Sequence, residues 1–284
     1  MSQGTPSLIE MLGIDTTINV VDVGANPYGG SGLPPYDGLL KRGNVRLVGF
    51  EPNPEALTVL QSRKGPNETY LQHAVYDGSV QTLRLCQASG MTSLLEPNMA
   101  VLGAFHGFDQ WGKVIGREEI ETVRLDDVAE ISDLDFLKID IQGGELEVFR
   151  NGTKKLADCL VIQSEVEFLE MYEGQPLFTD VDLFLREHGF VLHRFVEPTS
   201  RTIKPLVVNN DPYAGLSQLM WADAVFVRDF TRFGELAPEK LLKLALILHD
   251  IFSSFDLALR ALLVRDAMVG ERLGQTYLQK LQTS

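Results

Sequence analysis

The sequence predicts an α/β fold, a mostly parallel sheet with helices on both faces. Three observations carry that expectation. Short apolar runs alternate with amphipathic stretches from residue 18 to about 195, and glycine-bearing turns follow the first and fourth of those runs. The composition, 44% hydrophobic and 23% charged over 284 residues, supplies ample core material. Alternating β and α segments build parallel sheets, because each crossover helix packs back on the sheet it leaves.

Taken in order, the strand candidates are Ile18–Val23, Arg46–Phe50, Thr69–Val75, Phe136–Ile141, Cys159–Glu165 and Phe190–Phe195. Helix-like segments at Pro54–Arg63, Glu145–Leu156 and Thr179–His188 lie between them. From Gln81 to Val128 the rhythm breaks. Short alternating runs there, Thr82–Leu85 and Glu121–Leu125, predict an antiparallel insertion on a sheet edge. A last strand candidate, Leu219–Val227 (LMWADAVFV), follows a polar loop. Beyond Pro238, Leu241, Leu244, Leu248, Ile251, Phe252, Phe255, Leu259 and Leu262 recur at helical spacing. The expected division is a domain over 1–232 and a C-terminal helical extension over 233–284. Its stripe is expected to dock on the core, a homodimer through these helices being the sharper alternative.

A formal net charge of −14 repels phosphate backbones, and no Lys/Arg cluster is interleaved with aromatics. Nucleic acid and anionic membrane surfaces are therefore disfavoured. Cys86 and Cys159 are too few for a structural zinc site, and the histidines show no HxxxH spacing. The N-terminus lacks a basic segment before an apolar run, and no apolar stretch is long enough to span a bilayer, so a cytoplasmic protein is expected.

In open α/β sheets, ligands bind beyond the carboxyl ends of the strands. Residues 20–30, VVDVGANPYGG, put Gly24, Ala25 and Asn26 there. Asn26 stands where a dinucleotide fingerprint has its second glycine, and Pro27 removes an amide donor. No Gly-Lys-Ser/Thr ending is present. The turn suits a ligand without phosphates. In VGFEPNP, Glu51 follows the second apolar run, where an acid can accept both hydroxyls of a ribose; capping of the helix at Pro54 is the alternative. In DFLKIDIQGGELE, Lys138 and Asp140 share one face of a central strand. Ionised groups are seldom buried without partners, so they imply a site or an internal ion pair.

Together VVDVGAN, VGFEPNPEAL, LQHAVYDG and VRLDDVAEISDLDFLKIDIQGGELEVFRNG resemble the FkbM-type family of S-adenosylmethionine-dependent methyltransferases. The resemblance covers residues 18 to about 195, with WADAVFV as the final strand. It implies a class I methyltransferase (Rossmann-like) fold, S-adenosylmethionine as cofactor, and O-methylation, commonly of sugar or polyketide-type hydroxyls. It also implies that Asp22, Gly24, Ala25 and Asn26 contact the methionine end, that Glu51 holds the ribose with Pro52 and Asn53 beside it, and that His73, Ala74 and Val75 border the adenine. This sequence departs from the family twice. A longer loop, Pro27 to Tyr36, delays the next helix to about Asp37 and is expected to bring Tyr28 or Tyr36 over the pocket as a lid. The family's common Val-Glu-Gly-Ala-Glu stands here as Ile141-Gln142-Gly143-Gly144-Glu145.

Methyl transfer to a sugar hydroxyl needs in-line geometry and removal of the hydroxyl proton. Asp140 and Glu165 are the expected catalytic carboxylates, with Glu167 and His73 as further candidates for a base. Two acids at strand ends could instead hold a divalent cation, which is left unassigned. The expected partner is a small-molecule or glycan acceptor. A nicotinamide-dependent oxidoreductase and a catalytically silent binding protein are the alternatives.

Overall fold

The structure is a computed structural model that describes residues 6–27 and 32–283. In chain order the first half holds α1 (Leu8–Leu12), β1 (Ile18–Val23), α2 (Asp37–Lys41), β2 (Val45–Phe50), α3 (Pro54–Arg63), β3 (Glu68–Leu71), β4 (Ala74–Tyr76), β5 (Val80–Cys86), α4 (Met99–Leu102), α5 (Phe108–Trp111) and β6 (Val114–Arg124). The second half holds β7 (Phe136–Ile139), α6 (Glu145–Arg150), α7 (Thr153–Asp158), β8 (Val161–Glu167), α8 (Phe178–Glu187), β9 (Phe190–Arg201), β10 (Gln218–Arg228), α9 (Pro238–Leu246), α10 (Phe255–Val269) and α11 (Leu273–Thr283).

The main sheet has seven strands in the order β3-β2-β1-β7-β8-β10-β9. β3, β2, β1, β7 and β8 pair in parallel, and β10 lies antiparallel between β8 and β9. The chain winds outward from β1 to β3 and then returns to β7 beside β1. That reversal lies between β1 and β7, and the carboxyl ends at such a reversal are the place where open α/β sheets bind ligands. α3 begins where its sequence dictates: Pro54 is preset for the first helical position, and the Asn53 side chain accepts from Glu55 N and Ala56 N at 2.9 and 3.1 Å.

Three expectations change. The run Thr69–Val75 is two strands in two sheets, because β3 pairs with β2 while β4 leaves to pair with β6. The antiparallel insertion therefore does not extend the main sheet's edge; β5, β6 and β4 form a separate three-stranded sheet. The helix expected over Glu145–Leu156 breaks into α6 and α7 at Gly152, where a Cβ would stand 2.7 Å from the Leu125 side chain.

Both faces of the main sheet are buried. One face, with Val21, Leu137, Ile162 and Phe226, packs under α6, α7 and α8. The other, with Val20, Leu47, Phe136 and Val225, shares a buried cluster with α1, α2 and the helices after residue 237. In the C-terminal stripe Leu241, Leu244, Leu248, Phe252 and Leu262 are buried, while Ile251 and Leu259 pack at its margin. A π-helical turn, Ile247–Ile251, extends α9 and bends the stripe onto α10. An ion network fixes α9 from below. Lys240 and Lys243 reach the fully buried Asp135 at 2.8 and 2.7 Å, and Asp133 at 2.7 and 3.2 Å. Asn19 N, on β1, donates to the same Asp135 carboxylate at 2.8 Å. Among the described residues, no helix is long and apolar enough to cross a membrane.

Candidate active site

The strand exits of β1 and β7 touch through their backbones. Gly24 adopts φ +89°, and a Cβ there would lie 2.1 Å from the Asp140 carbonyl oxygen. Only glycine fits such a conformation and such a contact. Gly24 N and Ala25 N both donate to the Phe50 carbonyl at 3.1 and 2.9 Å, and Asn26 N donates to Gly24 O at 2.8 Å. These successive amides are engaged by β2 and by the turn itself, so the turn cannot cradle a phosphate as a glycine-rich anion loop does. It offers a close backbone edge instead. Tyr28 of the expected lid lies outside the described residues.

Glu51 leaves β2 beside that turn and is 7% exposed. Asn53 N donates to its Oε1 at 2.8 Å, which orients the carboxylate. Burial raises its pKa, against the lowering effect of the Asn53 contact, and the Asp22 charge raises it further. The helix cap is supplied by the Asn53 side chain and not by Glu51. Pro52 joins the two. His73 is exposed in the link between β3 and β4, whereas Ala74 and Val75 belong to β4 and Val75 is buried in the core.

Lys138 finds its partner in Asp22, with Nζ 3.3 Å from Oδ1. The two stand in register on β1 and β7. Tyr36 Oη donates to the other Asp22 oxygen at 2.5 Å. Tyr36 is therefore no lid. It is buried, and its phenol pKa is pushed well up by burial and by the Asp22 charge. Burial by itself would lower the Lys138 pKa, but the charges of Asp22 and Asp140 outweigh it and raise it.

Beyond this pair the site is acidic. Glu165 pairs in register with Asp223 of β10, and their side chains share the face that carries Lys138 and Gln163. Burial pushes Glu165 well above the carboxylate range, and Asp140, Glu167 and Glu145 add to it. Glu167 and Asp223 are raised by the same causes, burial first. Glu145, buried at the start of α6, accepts from Ile141 N and Gly143 N at 2.8 and 3.3 Å. Burial, with the Asp140 charge, raises it to about 7. Gln142 Nε2 donates to both Asp140 Oδ1 and Glu165 Oε2, at 2.9 and 2.8 Å. Gln163 Nε2 donates to Asp223 Oδ2 at 2.5 Å, while its buried Oε1 has no hydrogen-bond partner. Among the described residues, no three His, Cys, Asp or Glu side chains are grouped to hold a metal ion.

The fold thus brings Gly24–Asn26, Glu51, Asp140 and Glu165 to the carboxyl-end side of β1, β2, β7 and β8, with His73 two residues past the carboxyl end of β3, the neighbour of β2. Asp223, Gln142, Gln163 and the burial of Tyr36 escape the sequence reading. Asp223 carried a usable signal, a lone acid inside an apolar strand run, the same signal that singles out Lys138.

A family model described as the Methyltransferase FkbM domain matches residues 22–192. The 2-O-methyltransferase NoeI of Sinorhizobium fredii is 37% identical over 78 residues, 26% of this chain and 32% of that protein, so the match spans about a third of the relative. Among solved structures, a magnesium protoporphyrin IX methyltransferase from Synechocystis PCC 6803 is 11% identical, with TM-score 0.39 over 75% of this chain and 71% of that one. A putative S-adenosylmethionine-dependent methyltransferase from Listeria monocytogenes, also 11% identical, gives TM-score 0.40 over 78% and 95%. The family assignment rests on the domain match, which runs from Asp22 on β1 to Leu192 on β9. Covering more than half of the residues and every strand end that builds the site but β10's, that match shows that the chain belongs to the FkbM methyltransferase domain family.

Proposed function

We propose that this chain is an S-adenosylmethionine-dependent O-methyltransferase acting on a hydroxyl of a sugar or glycan-type acceptor. One observation carries the reading. The oriented, buried Glu51 carboxylate and the phosphate-averse turn at Gly24 stand side by side, with the Asp140 and Glu165 carboxylates across the β1/β7 reversal.

S-adenosylmethionine, when bound, supplies an electrophilic methyl group on a sulfonium centre. The residues fit it. Glu51 accepts from the ribose hydroxyls, held in place by Asn53 N. The Gly24–Asn26 edge admits the nucleoside without offering amides to a phosphate. Asp22 acts through Lys138 and Tyr36, which hold it within the strand pair. At the acceptor side the two carboxylates take different roles. Glu165, held by Gln142 Nε2 at 2.8 Å, orients the acceptor oxygen. Asp140, across the Gln142 bridge, takes the hydroxyl proton. The wall of carboxyl and amide oxygens suits an acceptor rich in hydroxyl donors. The name of the NoeI relative, a 2-O-methyltransferase, supports transfer to an oxygen. A homodimer would use what the C-terminal helices leave exposed, Leu263, Met268, Val269 and Leu278; sedimentation of the purified chain tests it.

The test is calorimetric titration with S-adenosylmethionine, S-adenosylhomocysteine and NAD, on the wild type and Glu51→Ala. Binding of both adenosyl compounds, lost without Glu51, is expected. Failure of both to bind would sink the reading, and NAD binding in their place would favour an oxidoreductase.

A further inference from the structure

Gln142 is the residue on which the site's polar contacts converge. Its backbone is left-handed, φ +62°, although it is not glycine. Such a conformation persists only where the surroundings over-determine it. Here Ser93 Oγ donates to the Gln142 carbonyl at 2.6 Å, and Tyr172 Oη lies 3.2 Å from both its Oε1 and the Met91 carbonyl. Both donors are buried. The carboxylates of Asp140 and Glu165 accept only, so they turn the amide nitrogen toward themselves. With Oε1 on the Tyr172 side, the two hydrogens of Nε2 go to Asp140 Oδ1 and Glu165 Oε2, one to each carboxylate.

Two carboxylates on neighbouring strand ends need something positive between them. A proton, a cation or a donor group can supply it. A divalent ion bridging them would bind each oxygen at about 2.0–2.6 Å and fill the space between. In this chain an amide nitrogen fills it, 2.9 and 2.8 Å from the two oxygens.

We propose that Gln142 is a positioning residue whose amide takes the place of a bridging cation, holding Asp140 and Glu165 in register so that the pair works without a metal ion between them. What the pair does rests on the methyltransferase reading; the bridge does not.

The experiment compares wild type, Gln142→Glu and Gln142→Gly. Melting temperatures are read with Mg2+, Mn2+ or Ca2+ and with chelator. Gln142→Glu is expected to gain about 4 °C or more from at least one divalent ion. The wild type is expected to gain nothing. A wild type that rises as much as the variant overturns the proposal, and so does a folded Gln142→Glu that ignores all three ions. Should Gln142→Glu fail to fold, Gln142→Gly decides, since glycine accepts the positive φ. Loss of the Nε2 donor should move the protonation midpoint of Glu165, followed by isotope-edited infrared spectroscopy, to higher pH; an unmoved midpoint overturns the proposal. S-adenosylmethionine titration of the wild type keeps the two readings apart. Absent binding there refutes the methyltransferase reading and leaves the bridge to the ion and infrared results.

Discussion

Replacing Glu145 with glutamine should stabilise the protein at pH 8 and leave it nearly unchanged at pH 5. The carboxylate is buried and accepts from Ile141 N and Gly143 N. Burial, with the Asp140 charge, raises it from 4.5 to about 7. Between those values the folded protein keeps a proton that the unfolded chain has released. Stability from this group is thus fully present below the unfolded value and is lost as pH rises toward 7. At about 1.4 kcal/mol per pKa unit, the loss totals about 3 kcal/mol. Glutamine places an acceptor oxygen where the carboxylate has one and has no proton to lose. The variant should therefore exceed the wild type by about 3 kcal/mol at pH 8, or about 6 °C in melting temperature. Glu51, Glu165, Glu167 and Asp223 are raised too, so the variant's own stability still declines with pH, only less steeply. Urea unfolding followed by circular dichroism between pH 5 and pH 8 measures this. Parallel curves for the two proteins would refute the reasoning.

Three further substitutions probe other parts of the structure. Gly24→Ala drives a Cβ against Asp140 O and should cost at least about 3 kcal/mol, whereas Gly13→Ala, also at positive φ but with nothing within 4 Å, should cost only about 1 kcal/mol; equal losses in denaturant titration would contradict this. Tyr36→Phe removes the donor to buried Asp22 Oδ2 and should cost about 1–3 kcal/mol, read from its melting temperature against that of a surface control such as Tyr213→Phe. Lys240→Met with Lys243→Met strands the fully buried Asp135 and should cost about 3–5 kcal/mol; adding Asp135→Asn should recover part of it, and a triple variant no better than the double would tell against the network.

Much of the site was legible because strand ends announce themselves. Apolar runs that stop at Gly24, at Glu51 and at Asp140 each mark an exit, and Pro54 after Asn53 marks a helix start at the right residue. What stayed hidden depends on pairing between strands that are distant in sequence. Lys138 was visible as an ion needing a partner, but only the β1/β7 register brings Asp22 to it, 116 residues away. Tyr36 reads as a loop aromatic until α2 turns it into the core. Gln142 looks like a substituted acid, and its bridging role requires Ser93, Tyr172 and Glu165 to arrive from separate segments. The break at His73 was illegible for a related reason. Nothing local tells a strand to change sheets when the residues on both sides favour extended backbone.

The position of β10 bears on how the chain is made. A ribosome releases β1, β2, β7 and β8 first, yet the carboxylate row lacks Asp223 until residue 223 has emerged, because β10 closes between β8 and β9. The opposite end of β7 waits longer still: Asp135 meets its counter-charges only with Lys240 and Lys243. Until then the nascent sheet carries an uncompensated acid at its centre and an uncovered apolar face awaiting Leu241, Leu244 and Leu248. Completion of the carboxylate row and completion of the core are therefore both late events in biosynthesis, and a chain interrupted before α9 would keep an exposed apolar face of the kind that chaperones bind.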